Sequence, residues 1–384
     1  MNTHRLSGRS WARGLMSLVF TGYIAYRLVV IIAPNYASYI SPYYTDSYYS
    51  FLEDAYSRSQ YRQKQPTALL PDETILGYAS GAYIRGTDPI LINSEITPLG
   101  KYIVGLSIAL FKNDRIVAIP FALFTLVAVW LLGLTVLRDR VVALLPVLLM
   151  ATEPLFENQL KVTPLMDIIQ LPFILVTIYV FIRESKRGRF FWTCILLGIV
   201  MATKSVIPAI LLVGCFSISL LLSQDVWQKT RRFVMFLPLS LLVFSVTYLR
   251  TFLSGYSLWD FFGFQKWILL YQQSKLQYPL SSWRLIFFNE WQAWWGDRSI
   301  IHADDWRWTW PAFTIVWIVF AVVILIRKQR PSYAHLVCIF WIIVYSLFLS
   351  VGVISSRFLL PYLPVTFIIG VAAITAVVTK VLSR

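Results

Sequence analysis

Asp72 and Glu73 stand side by side in "LLPDETILGYASGAYIRG", shortly after the first long apolar run. Two adjacent carboxylates can act as a general base, join a metal ligand set, or solvate a loop, and residue type alone leaves all three open. The other ionisable groups that could do chemistry also stand where apolar runs begin or end. Glu95 and Lys101 lie in "SEITPLGK", Arg115 opens a run, Asp167 ends "EPLFENQLKVTPLMD", Lys204 ends "GIVMATK", and Arg357 lies in "SSRFLLPYLP". His302 lies in "SIIHADDWRW". Each has a structural alternative. Asp72 before a run of helix formers suits a helix cap, Asp167 suits a helix N-terminus, Arg115 suits a membrane-edge anchor, and Lys204 suits a snorkelling side chain.

The elements that position these groups are apolar helices. Of the 384 residues 58% are hydrophobic and only 14% are charged, and the mean hydropathy is +0.65. A soluble domain carries about a quarter charged residues. Runs near 20 apolar residues recur from end to end, which predicts an all-α, polytopic membrane protein. The first run is too long for the core of a signal peptide, and no small-residue cleavage site follows it; it reads as a retained helix. The net charge of +15 does not point to nucleic acid, because the basic residues fall in short clusters between apolar runs, as topology signals do. Cys194, Cys215 and Cys338 all lie inside apolar runs, so no structural disulfide or cysteine metal site is expected.

If every basic cluster faces the cytoplasm, each adjacent pair must flank two spans. Ten helices satisfy this, at about 12–33, 115–137, 140–155, 166–183, 190–204, 207–223, 233–253, 309–326, 334–353 and 358–378. The segment from Pro98 to Phe111 is left out, since so short an apolar stretch is more often interfacial than spanning. Residues 1–384 then form one integral membrane domain with a first outer loop at 34–114 and a second at 254–308. Shorter outer segments fall at 154–166 and 354–357. Asp72, Glu73, Glu95, Lys101, Arg115, Asp167, Lys204 and Arg357 border one face on this topology. Transporters usually carry ionisable residues at mid-membrane; these spans are nearly charge-free at their centres, which places chemistry or binding at the outer surface.

In that order, Asp-Glu, "PLGK", an arginine opening a span, "PLMD", "GIVMATK" and "RFLLPYLP" resemble the protein O-mannosyltransferase superfamily. That superfamily has bacterial relatives among the lipid A aminoarabinose transferases. The resemblance covers most of Asp72 to Lys204 and weakly the C-terminal end. It implies a GT-C fold of about 10 transmembrane helices with juxtamembrane helices in two outer loops. It also implies a glycosyltransferase that uses a polyprenyl-phosphate sugar donor. Asp72 matches the acidic residue taken as general base, with Glu73 its neighbour. "ITPLGK" matches "HPPLGK", retaining Pro98 and Lys101 but replacing the histidine and first proline by Ile96 and Thr97. Ser94 stands where that motif has an aspartate. Glu95 matches the glutamate that ligates metal in the lipid A branch, whose following lysine is Ile96 here. Arg115 and Asp167 match charged positions of the family. No large soluble insert interrupts the second loop.

The chemistry implied is transfer of the sugar to a hydroxyl of a protein, lipid or glycan acceptor on the extracytoplasmic face, with inversion. A lipid phosphate leaves readily, so the acceptor mainly needs a base, for which Asp72, Glu73 and Asp167 are the candidates. The leaving phosphate needs positive charge, for which Lys101, Arg115, Lys204 and Arg357 are the candidates. By analogy with the lipid A branch, Glu95 and His302 are candidate ligands of one divalent metal ion. Other partners are membrane lipids; the localisation expected is a multi-pass membrane protein, in the plasma membrane if prokaryotic. The second loop is rich in tryptophan, with nine of the fifteen between Trp259 and Trp310. These form either an interfacial aromatic belt or a sugar-stacking wall. A lipid or polysaccharide transporter and a non-catalytic scaffold of the same fold stand as alternatives.

Overall fold

A computed structural model describes residues 3–273, 278–293, 299–328 and 331–382, and side chains are described from Trp11 onward. Among the described residues there are eighteen α-helices. They are α1 Thr3–Ile32, α2 Tyr36–Ile40, α3 Asp46–Ser57, α4 Asp72–Ile84, α5 Pro98–Phe111, α6 Ala118–Leu137, α7 Leu144–Ala151, α8 Pro154–Lys161 and α9 Met166–Ser185. There follow α10 Phe191–Thr203, α11 Ile207–Leu221, α12 Val226–Val246, α13 Leu249–Leu253, α14 Leu258–Gln273, α15 Ser281–Phe288, α16 Thr309–Ile326, α17 Tyr333–Val351 and α18 Leu363–Leu382. The only strands among the described residues are the antiparallel pair β1 Trp291–Gln292 and β2 Ile300–Ile301.

Among the described residues, six helices are long and apolar enough to cross a membrane: Trp11–Ile40, Ala118–Leu137, Met166–Ser185, Thr309–Ile326, Tyr333–Val351 and Leu363–Val381. Pro98–Phe111, Phe191–Thr203 and Ile207–Leu221 are apolar but shorter. The expected span at 140–155 holds one eight-residue helix, α7, and the equally short α8 follows within the segment expected outside, 154–166. Eight residues rise about 12 Å, well short of an apolar core of about 30 Å. The break has a local cause: Glu153 precedes Pro154, whose ring pushes it out of the helical region, and it sits at φ −77°, ψ 122°. The expected span at 233–253 begins earlier, at Val226, so Lys229, Arg231 and Arg232 lie within its first turns. The last span begins only at Leu363, after a 3₁₀ turn at Ser356–Leu359.

The centre of the bundle is α6 against α9, α9 against α10, α10 against α12, α11 against α17 and α16 against α18. α4 and α5 pack on each other, and α5 leans on α10. Glycine permits the closeness: a Cβ on Gly105 would lie 3.0 Å from the Ser80 carbonyl oxygen, and one on Gly100 would lie 2.4 Å from that of Thr203. Backbones at that separation put the N-terminus of α5 directly on the C-terminus of α10. Thr97 makes no side-chain cap and completes the joint, its N–H donating to the Lys204 carbonyl (3.2 Å) and its hydroxyl to the Met201 carbonyl (2.9 Å). The three cysteines are buried and free.

Candidate active site

α4 begins at Asp72, and the residue before it, Pro71, is extended and makes no side-chain cap. Asp72 is therefore the first helical residue, and its carboxylate is directed elsewhere than the helix's own amides. From Ile75 to Tyr83 every residue of α4 is buried. A helix buried all round is a core helix; only its two ends reach the surface, at Ile84 and in the first turn, where Asp72 and Glu73 are half-buried. A negative group at that end is favoured by the helix dipole.

The group that meets Asp72 is Arg357, from the 3₁₀ turn before α18. Its Nη2 donates to Asp72 Oδ2 at 2.5 Å, with side chains 27% and 42% exposed respectively. Arg357 Nε is buried and makes no hydrogen bond within the protein. Beside this pair, Asp167 in the first turn of α9 accepts a hydrogen bond from Lys204, the residue that terminates α10. These side chains are 8% and 18% exposed; removing one member of so buried a pair typically costs about 3–5 kcal/mol. Gln170 of α9 locks the same joint, donating to the carbonyls of Val200 (2.9 Å) and Ser205 (3.3 Å). The Phe358 ring lies under both cations, 5.1 Å from Lys204 Nζ and 5.6 Å from the Arg357 guanidinium.

The two ion pairs form one network. Arg357 lies within electrostatic reach of Asp167 and Glu73 as well as Asp72. Three helix ends and one turn thus deliver alternating charge to one place: the starts of α4 and α9, the end of α10 and the turn before α18. Tyr61 borders it, its phenol pushed above the ordinary range by burial and then by Asp72 and Glu95. Sequence reading passed over Tyr61, since nothing distinguishes it from the other 20 of 21 tyrosines.

Glu95 and Lys101 are brought together through a residue the sequence did not single out, Asn93. Lys101 is fully buried in α5. Its Nζ donates to the Asn93 carbonyl at 2.5 Å and lies over the Tyr83 ring at 5.0 Å. Burial pulls its pKa down to about 7, with Glu95 acting in the opposite sense. Asn93, at φ +48°, turns its amide to Glu95 Oε1 (2.8 Å). Lys101 therefore holds the loop that carries Glu95.

Arg115 joins a different group. It stacks over Tyr43 at 5.5 Å, and the Tyr43 hydroxyl donates to buried Asp114, whose pKa burial holds above the usual carboxylate range. The Asn113 side chain caps this corner, accepting from the amides of Arg115 (2.7 Å) and Ile116 (3.1 Å). His302 is exposed, with Nδ1 2.8 Å from the Asn289 carbonyl oxygen. Glu95 is bonded to Asn93, and no group of three or more His, Cys, Asp or Glu among the described residues is arranged to hold a metal ion.

The tryptophans of the second loop divide. Trp259 and Trp308 are exposed at 83% and 67%. Trp310 is wholly buried and donates to Glu153 Oε1 at 2.7 Å, and Trp283 donates to Ser350 Oγ at 2.7 Å. Trp294 and Trp295 lie outside the described residues.

A family model described as dolichyl-phosphate-mannose-protein mannosyltransferase matches residues 95–249. The match takes in Glu95, Lys101, Arg115, Asp167 and Lys204, and leaves Asp72 and Arg357 on either side. No curated protein matches the chain. Among solved structures, ArnT from Cupriavidus metallidurans bound to undecaprenyl phosphate superposes with a TM-score of 0.53 at 13% identity, covering 92% of this chain and 60% of that one. The same protein in its apo state gives 0.50 at 16% identity, covering 80% and 55%. The chain thus spans about 60% of the length of the structure it resembles, and at this identity the likeness is one of fold.

Proposed function

From the premise that the chain has the fold of the GT-C glycosyltransferase superfamily, we propose that it is a membrane glycosyltransferase. It takes a sugar from a polyprenyl-phosphate carrier at the extracytoplasmic face and passes it to an acceptor hydroxyl with inversion. The observation that carries this reading is the Asp72–Arg357 pair, in which the guanidinium keeps a buried Nε–H without a partner in the protein. Arginine holds phosphate through several N–H donors at once. A carrier phosphate bound at Arg357 stands beside the carboxylate that can take the acceptor's proton.

In the step proposed, the acceptor oxygen attacks the anomeric carbon from the side opposite the phosphate. The bond from that carbon to the phosphate oxygen breaks, and the phosphate leaves with the electron pair. The acceptor's proton passes to Asp72. Arg357 and Lys204 stabilise the charge that develops on the phosphate, and Asp167 keeps Lys204 in place. Glu73, on the same turn, borders the acceptor. The bound undecaprenyl phosphate of the ArnT structure supports a carrier of this class, and the family match supports transfer of a sugar. Protein, lipid and glycan acceptors all present the hydroxyl that the step needs.

The test is transfer from a radiolabelled polyprenyl-phosphate sugar in membranes. Asp72→Asn should lower kcat by about 10²–10⁴-fold, the usual contribution of a positioned base, with carrier binding retained. Undiminished transfer by Asp72→Asn overturns the assignment of the base.

A further inference from the structure

Asp305 has no part in the step above, yet it is buried and joins three distant segments. It lies in the second outer loop, within "SIIHADDWRW". Its Oδ2 accepts from Asn158 Nδ2 on α8 (3.1 Å) and from Ser356 Oγ (3.1 Å). Ser356 is the first residue of the 3₁₀ turn and the immediate neighbour of Arg357. The far end of that turn is held from α17, where Tyr345 donates to the Phe358 carbonyl (2.9 Å) and the Trp341 indole to that of Pro361 (2.9 Å). At its near end, the hydrogen bond described for the Ser356 side chain is the one to Asp305.

Asp305 itself stands on a fixed platform. The Trp306 indole donates to the Ile286 carbonyl (3.0 Å), Arg307 donates to that of Thr152, and Trp310 donates to Glu153 (2.7 Å). A buried carboxylate is costly without hydrogen bonds, and the contacts that offset the cost are those to Asn158 and Ser356. Their geometry calls for an acceptor oxygen at the Oδ2 position; the other oxygen, Oδ1, has no partner within the protein.

We propose that Asp305 is a positioning residue: through Ser356 it sets the turn that aims the Arg357 guanidinium at Asp72. The functional weight of this assignment rests on the reading of Asp72 and Arg357 given above. Its geometric content does not. An amide can supply the same acceptor oxygen, so Asp305→Asn should behave like the natural chain, whereas Asp305→Ala and Ser356→Ala remove the link from either side.

Two measurements on the full chain in membranes test it. The first is modification of Arg357 by phenylglyoxal, read by mass spectrometry. Arg250, whose Nη1 donates to the Tyr83 carbonyl at 2.6 Å, serves as the internal reference. Arg357 should react several-fold faster in Asp305→Ala and Ser356→Ala, at the natural rate in Asp305→Asn, with Arg250 constant throughout. The second is sugar transfer, where kcat should fall by on the order of tenfold or more in the two alanine variants, as small misplacements of reacting groups do, and recover in Asp305→Asn. Unchanged Arg357 reactivity in Ser356→Ala overturns the proposal. So does Asp305→Asn behaving as badly as Asp305→Ala, or a parallel rise at Arg250, which marks general loosening. If the natural chain transfers no carrier-linked sugar at all, the glycosyltransferase reading fails, while Arg357 reactivity still decides whether Asp305 positions it.

Discussion

At the residue scale, type and position along the chain named most of the charged groups, and surroundings assigned them. Asp72 shows this on its first helical turn. A cap would sit one residue before the helix; here that position is Pro71, which frees the carboxylate for Arg357. Lys101 shows the opposite outcome. It was a candidate for the positive charge beside the leaving phosphate, but the ammonium is buried on Asn93 and Tyr83. Burial lowers its pKa from 10.5 to about 7. Between those two values the unfolded chain binds more protons than the folded one, so stability contributed at this site rises with pH across the window, and below pH 7 the full cost of the buried charge is present. Thermal unfolding in detergent, compared between the natural chain and Lys101→Met, should show a steeper rise above pH 7 in the natural chain. Parallel curves would mean that Lys101 is not a buried, titrating tether.

At the element scale, the ends of helices carry the candidate site. α5 runs from Pro98 to Phe111, the limits read from its apolar run, because proline at its first position starts it and Lys112 in the left-handed region ends it. α7 is shorter than the span expected at 140–155 because Pro154 keeps Glu153 out of the helical region. The joint between α5 and α10 depends on Gly100, where a Cβ would lie 2.4 Å from a backbone oxygen that cannot swing aside. Gly100→Ala should push α5 off the end of α10 and move Lys204 away from Asp167. Transfer should fall by on the order of 10²-fold while helical content by circular dichroism stays unchanged. Gly214→Ala, with nothing within 4 Å of the added Cβ, should leave transfer unaffected. Equal activity in the two variants would separate this joint from the site.

At the scale of the whole molecule, hydropathy and basic clusters lead to an expected orientation in the membrane. The first span, Trp11–Ile40, has only 6% of its apolar window buried by protein, as expected of a helix surrounded largely by lipid. It is tied to the bundle by Arg13–Asp139 at 2.6 Å and Arg27–Glu157 at 3.0 Å. The topology predicts that Lys64 lies outside and Lys186 inside. Since all three native cysteines are buried, single reporters can be read against a quiet background. A membrane-impermeant maleimide should label Lys64→Cys in intact cells and Lys186→Cys only after permeabilisation; the reverse pattern would put the site on the cytoplasmic face.

The helical class, the apolar spans and the charged residues at helix ends were legible in the chain itself, because hydropathy, proline and charge act over a few neighbouring residues. Which charges meet was not. Asp72 and Arg357 are 285 residues apart, and Asp167 finds Lys204 only because two helices cross where Gln170 can bridge them. Arg115 and Lys101 have the same charge as Arg357 and Lys204, yet packing turns one toward Tyr43 and buries the other on Asn93. Asn93, Tyr61 and Asp305 gave no local signal, since their importance lies in partners supplied by distant segments. Close approach at small residues, together with the need to satisfy every buried polar group, selects those partners, and both are properties of the packed bundle rather than of any stretch of the sequence.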